Sequence, residues 1–187
     1  MRTLVLASAL LLTPIAASAA PAGTYTFDES HTFVLFKIGR ANASPAFGML
    51  PGSSGTFVYN PAKPGDMKVD LTLPVDAIYT ANKKRDGHLK SPDFFNAKQF
   101  PKVTFKTSKV TVSGDTYKVT GKLNMHGKSK TETFTLKKIG EGKNQQGKDY
   151  VSFEGTMTIN RKDYGISYLD GYLSDSVEIT VAADGLK

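Results

Sequence analysis

From Phe100 onward, apolar and polar residues alternate with a period of two, the spacing of strands that bury one face. Val103 and Phe105 alternate with Thr104 and Lys106, and Val110 and Val112 run into Gly114-Asp115, a pair suited to a tight hairpin turn. Tyr117, Val119, Gly121 and Leu123 share one face of the next strand. His126-Gly127 makes a second tight turn, where histidine tolerates a left-handed backbone. Phe134 and Leu136 follow, and a polar hairpin loop spans Gly140 to Gly147. Val151, Phe153, Gly155, Met157 and Ile159 alternate with polar residues, and Val177, Ile179 and Val181 close the series. Consecutive one-faced strands linked by short turns predict an all-β fold, a single antiparallel barrel of about eight strands.

The N-terminal half is less regular. Gly23 to Phe27 reads as a first strand, turned by Asp28-Glu29-Ser30. His31 to Ile38 is apolar on both faces, with Phe33 and Leu35 on one side and Val34, Phe36 and Ile38 on the other. Such a strand is expected to be covered on both faces, so something should pack outside the barrel wall. Asn42 to Gly55 is rich in Gly, Pro, Ser and Ala and reads as a long loop or distorted strand pair. Its Phe47, Met49 and Leu50 suit a lid over the barrel mouth or a plug at one end. Thr56 to Tyr59 is a strand, as is Met67 to Ile78, with Pro74 marking a bulge or edge. Arg161 to Gly171 reads as a loop.

One segment departs from the strand pattern. Between Thr80 and Phe105, Asn82 can cap a short helix that places Arg85, His88 and Leu89 on one side. Asp86 and Lys90 stand four apart, suited to an ion pair. Ser91-Pro92-Asp93 then starts a second helical turn that delivers Phe94 and Phe95. The run R-D-G-H-L-K-S-P-D-F-F followed by F-P-K-V-T-F resembles the signature of the YceI-like proteins, the lipocalin-like polyisoprenoid-binding family. The opening D-E-S-H-T-F-V-L-F-K-I and the late R-K-D-Y-G-I resemble the same family, so the likeness spans nearly the whole mature chain. Where that family usually carries histidine, this chain has Arg40. The resemblance implies a periplasmic carrier or store of polyisoprenoids, including isoprenoid quinones, in a family associated with stress responses.

Composition narrows the setting. Arg2, the apolar Leu4 to Leu12 and Ala17-Ser18-Ala19 form a signal-peptide pattern, so residues 1–19 are expected to be removed and residues 20–187 to form the YceI-like lipid-binding barrel domain in the periplasm. Cleavage there leaves 187 − 19 = 168 residues, enough for one good core. The chain has 0 cysteines, so no disulfide supports it. The formal charge of +7 permits transient contact with anionic headgroups. The lysines are nevertheless spread along strands with no nucleic-acid motif, and no nucleic-acid partner is expected. No stretch reaches membrane-span length, and a homodimer is compatible with the sequence.

An eight-stranded barrel is just wide enough to be filled by side chains or to hold one small ligand. The candidate ligand-binding residues are Phe36 and the inward-facing Phe105, Gly121, Leu123, Phe134, Phe153, Gly155 and Met157, with Arg85, His88, Leu89, Phe94 and Phe95 from the helical segment. Gly121 and Gly155 either leave space for a chain-like ligand or relieve crowding in a solid core. Arg85 either meets a phosphate or quinone headgroup or forms a salt-bridged plug with Asp86. His31, His88 and His126 have no zinc-ligand spacing and no cysteine to join them, and no nucleophile elbow or phosphate-cradling loop is present. The function expected is non-catalytic binding of an isoprenoid lipid, with no cofactor. The alternative is a ligand-free, stress-related interaction module with a packed core.

Overall fold

Each alternating run in the second half becomes a long strand hydrogen-bonded to its sequence neighbour. The structure, a computed structural model, describes residues 19–187. The strands are β1 (Gly23–Phe27), β2 (Phe33–Arg40), β3 (Ala43–Met49), β4 (Ser54–Tyr59), β5 (Lys68–Pro74), β6 (Lys102–Ser113), β7 (Thr116–Met125), β8 (Lys128–Lys143), β9 (Asp149–Asn160) and β10 (Leu173–Leu186). A helix, α1 (Lys83–Lys90), lies between β5 and β6. The export signal expected in residues 1–19 lies outside the described residues, except for Ala19.

Ten segments occupy eight positions around a closed antiparallel barrel. β10 pairs with β2 from Arg40 to Phe33 and then with β1 through Thr26 and Phe27, so β1 and β2 are halves of one strand broken at residues 28–32. β3 and β4 are likewise two halves: β3 lies against β2, and β4 lies between β1 and β5. The remaining strands run in sequence order from β5 to β10.

Both tight turns form where expected. Ser113 pairs with Thr116 across Gly114-Asp115, and Met125 with Lys128 across His126-Gly127. His126 and Gly127 both have positive φ, 52° and 71°, which matches a two-residue hairpin to the strand twist.

Two upstream expectations are revised, and one left open is resolved. Of the two readings of the Asn42–Gly55 stretch, the distorted strand pair forms: β3 pairs with β2 with a register shift between Ile38 and Arg40. Leu50 is buried and Phe47 is 61% exposed, and both border the open end of the barrel interior. Phe33 and Leu35 stay 42% and 43% exposed, and beside Phe47 and Tyr79 they make an apolar strip that none of the described residues covers. The strand expected to reach Ile78 stops at Pro74, after which residues 75–77 form a 3-10 turn.

The end of the barrel built from β1 and β4 is solid. Tyr25 stacks on Phe57 at 5.5 Å, and Phe153 meets the edges of Phe57 at 5.7 Å and Tyr117 at 5.1 Å. Below these rings, Tyr59 Oη donates to Glu141 Oε2 at 2.7 Å and Lys138 Nζ to Glu141 Oε1 at 2.8 Å. The buried Ala20 adds its backbone N–H to Glu141 Oε2 at 3.3 Å. Burial works against the Glu141 carboxylate, but its bonds from Lys138 and Tyr59 outweigh it and hold the carboxyl below the usual range. Burial, and then the bond to Glu141, pushes the Tyr59 phenol up to about 12.

Candidate ligand-binding site

Above that aromatic floor the barrel is hollow. A cavity of about 590 Å³ rises from Phe57 and Phe153 to an opening between α1, the β2–β3 hairpin and residues 166–173. That volume is in the range of small-molecule sites.

The walls are apolar because each strand points its alternate residues inward. Phe36, Phe105, Leu123, Phe134, Phe153 and Met157 all line the cavity, and Phe105 meets the edge of Phe134 at 5.0 Å. Gly121 and Gly155 do not line it. A Cβ on Gly121 would strike the Phe105 ring and lie 2.5 Å from the Lys106 carbonyl oxygen. A Cβ on Gly155 would strike the Thr135 carbonyl oxygen and come within 2.8 Å of Leu136 Cδ2. These glycines therefore let Phe105 and Leu136 lie against the wall, and the space above them is already taken by side chains.

The mouth is built by α1 and the turns after it. Asn82 Oδ1 accepts the Arg85 N–H at 3.0 Å, which caps the helix as its sequence position suggests. Arg85, His88 and Leu89 then face the cavity, and so do Phe94 and Phe95 from the hydrogen-bonded turns at residues 91–99. His88 Nε2 lies 2.8 Å from Asp93 Oδ2, and its ring meets Phe94 at 5.0 Å and Tyr168 at 5.2 Å. That cluster joins α1 to the 161–172 segment across the top of the barrel.

Arg85 and Asp86 do not pair with each other. Both converge on Thr80, which is only 6% exposed. Arg85 Nε donates to Thr80 Oγ1 at 2.8 Å, while the Thr80 N–H and hydroxyl donate to Asp86 Oδ1 at 2.8 Å and 2.5 Å. Because Asp86 turns inward to Thr80, the expected Asp86–Lys90 surface pair does not form.

Arg161 organises the opposite side of the mouth and has no place among the residues expected from sequence. It is 3% exposed and donates to four backbone carbonyls: Ser174 at 3.0 Å, Ile166 at 3.0 Å, Tyr168 at 2.8 Å and Leu173 at 3.3 Å. The only trace of this in the sequence is the R-K-D-Y-G run that opens the loop. Thr80 and Tyr168 also escaped, since neither carries a pattern of its own. His31 and His126 lie away from the cavity, bonded to Asp28 at 2.7 Å and to the Tyr164 carbonyl at 2.9 Å. Among the described residues no group of His, Cys, Asp and Glu is placed to hold a metal.

The YceI-like domain family matches residues 25–184 of the chain. The chain is 32% identical over 173 residues to a UPF0312 protein of Pseudomonas aeruginosa, covering 91% of each. It is 34% identical over 190 residues to a UPF0312 protein of Ectopseudomonas mendocina, covering 100% of this chain and 97% of that one. Among solved structures, a Campylobacter jejuni YCEI protein superposes with a TM-score of 0.72 at 27% identity, covering 80% of this chain and 89% of that one. Burkholderia cenocepacia BcnA gives 0.77 at 24% identity, over 84% and 98%. A polyisoprenoid binding domain from Saccharophagus degradans gives 0.63 at 13% identity, over 90% and 99%, a likeness of fold.

Proposed function

Because this chain belongs to the YceI-like family, we propose that it binds the chain of an isoprenoid lipid, of polyprenyl or isoprenoid quinone type, in its barrel cavity and performs no chemistry on it. Carriage or storage of that lipid in the periplasm is the role this binding would serve. The observation that carries the reading is the cavity itself: about 590 Å³, walled by aliphatic and aromatic side chains, closed below by aromatic rings and open at one end. A methylene group occupies about the volume of a water molecule, ~30 Å³, so the cavity accommodates on the order of 20 carbons. At ~0.8 kcal/mol for each buried carbon this gives roughly 16 kcal/mol gross, against ~4–15 kcal/mol for association and ordering. A preformed cavity keeps the ordering cost low, so apolar burial alone supports useful affinity.

The shared fold of the Saccharophagus degradans polyisoprenoid binding domain supports the same reading. The positions of the histidines support a non-catalytic role, since His31 and His126 are bonded away from the cavity and His88 is packed between two aromatic rings. The hollow upper barrel opposes the alternative of an interaction module packed solid.

Met157→Trp tests the reading, because Met157 lines the cavity and is only partly buried by protein. Titration with a polyprenol of about 20 carbons should show an affinity loss of tenfold or more in a variant whose circular dichroism and melting remain near those of the parent. Equal affinity in parent and variant would place the lipid elsewhere.

A further inference from the structure

The charged side chains lining the cavity have one sign. They are Arg40, Lys84, Arg85 and Arg161, and no carboxylate lines it. From this we infer that the lipid bound in the cavity carries an anionic phosphate headgroup, held at the mouth by Lys84 and Arg40 with Arg85 behind them. The inference rests on the isoprenoid-binding reading and adds the headgroup to it.

The bonds of each cation show which are available. Arg161 is buried with its donors on four carbonyls, so it is structural. Arg85 commits Nε and Nη2 to Thr80, which leaves Nη1 without a protein acceptor among the described residues. Arg40 commits Nε and Nη2 to Ser44, at 2.8 Å and 3.1 Å, and its Nη1 is likewise free. Lys84 has neither a carboxylate nor a hydrogen-bond acceptor among the described residues. The nearby carboxylates are occupied elsewhere: Asp86 by Thr80, Asp93 by His88, Asp170 by Lys162, and Asp175 by Lys162 and the structural Arg161.

The helix adds a second, independent sign. Lys83, Lys84 and Arg85 open α1, where the helix dipole already presents positive potential and cations are disfavoured. Asp86, the acid of that turn, is bonded to Thr80, so three cations stand against one carboxylate and the excess charge becomes more favourable beside an anion. A phosphate ester meets guanidinium and ammonium donors through charge-assisted bonds, and its prenyl chain follows the apolar wall inward. A neutral quinone leaves the positive charge of the mouth uncompensated.

The test compares a matched pair, geranylgeranyl phosphate and geranylgeraniol, with inorganic phosphate alone, by calorimetric titration at low and at high salt. In the parent the phosphate ester should bind at least tenfold tighter than the alcohol at low salt, with the gap narrowing as salt rises. Inorganic phosphate should bind far more weakly than the ester. The ratio of the two lipid affinities should collapse toward one in Lys84→Gln with Arg40→Gln, and fall part of the way in Lys84→Gln alone. Lys84 is exposed and bonds nothing, so the single variant folds whatever the double variant does. Equal binding of ester and alcohol in the parent overturns the headgroup inference and leaves the cavity reading standing. A ratio that survives both substitutions also overturns it, as does inorganic phosphate matching the ester. Failure of both lipids to bind overturns the cavity reading itself.

Discussion

Thr80 shows how one small side chain sets the position of the mouth. Its hydroxyl receives Arg85 and donates to Asp86, and its N–H also reaches Asp86, so a single residue fixes two successive residues of α1 to the barrel rim. Thr80→Val keeps the shape and removes the hydroxyl, leaving Asp86 one donor short in a partly buried site. We expect a loss of about 1–3 kcal/mol in urea unfolding; a loss below a few tenths would mean that the latch is ornamental. At the closed end, Glu141 gives a pH dependence of defined sign. Its folded carboxyl lies below the unfolded value of ~4.3, so the stabilisation is fully present above that pH and is lost as pH falls through the folded pKa. Tyr59 acts on the opposite limb. Its phenol is raised to about 12, so its contribution is present below the unfolded value of ~10 and is lost as pH climbs toward 12. Urea midpoints measured across pH should therefore fall on both sides, with Glu141→Gln flattening the acid limb and Tyr59→Phe the alkaline one. Unchanged slopes in those variants would remove this network from the cause.

Among the elements, the long strands and the helix were legible in sequence, because period-two alternation, turn pairs and the Asn82 cap are local signals. β3 was legible only as one of two readings. Ala, Ser, Pro and Gly make up most of Ala43–Met49, which suits a loop as well as a distorted strand, and the partner that β2 offers lies outside any local window. The role of Gly121 was half legible: its inward direction follows from alternation, but what fills the space above it depends on the register with β6, which brings in Phe105. Gly121→Leu therefore overpacks the wall and should cost about 1–3 kcal/mol in thermal or urea unfolding. A variant of full stability would return that space to the lumen. Arg161 was invisible for a further reason. Its partners are carbonyls up to 13 residues downstream, and backbone acceptors leave no mark in a side-chain pattern. Arg161→Met should strip donors from buried carbonyls, at roughly 3–5 kcal/mol in total, and raise amide exchange across residues 165–173 before the barrel strands respond. Uniform exchange over the whole chain would show instead that the loop and barrel open as one unit.

At the scale of the whole molecule, the barrel divides into an aromatic, hydrogen-bonded base and a hollow, apolar upper half with a cationic rim. Alternation could establish that side chains point inward, but the balance between filled and empty volume depends on how rings from different strands meet. That is why the sequence left a packed core and a lumen equally open. The closed floor has a consequence for ligand length. Affinity across a polyprenol series should rise with each added carbon and level off near 20 carbons, where further chain protrudes into water. A steady rise well beyond that length would mean that the Phe57–Phe153 floor opens. The most direct measurement is native mass spectrometry of the protein purified from the cells that make it, followed by organic extraction and identification of the lipid. A stoichiometric isoprenoid is the expected result; an empty protein that also refuses added polyprenyl lipids would contradict it.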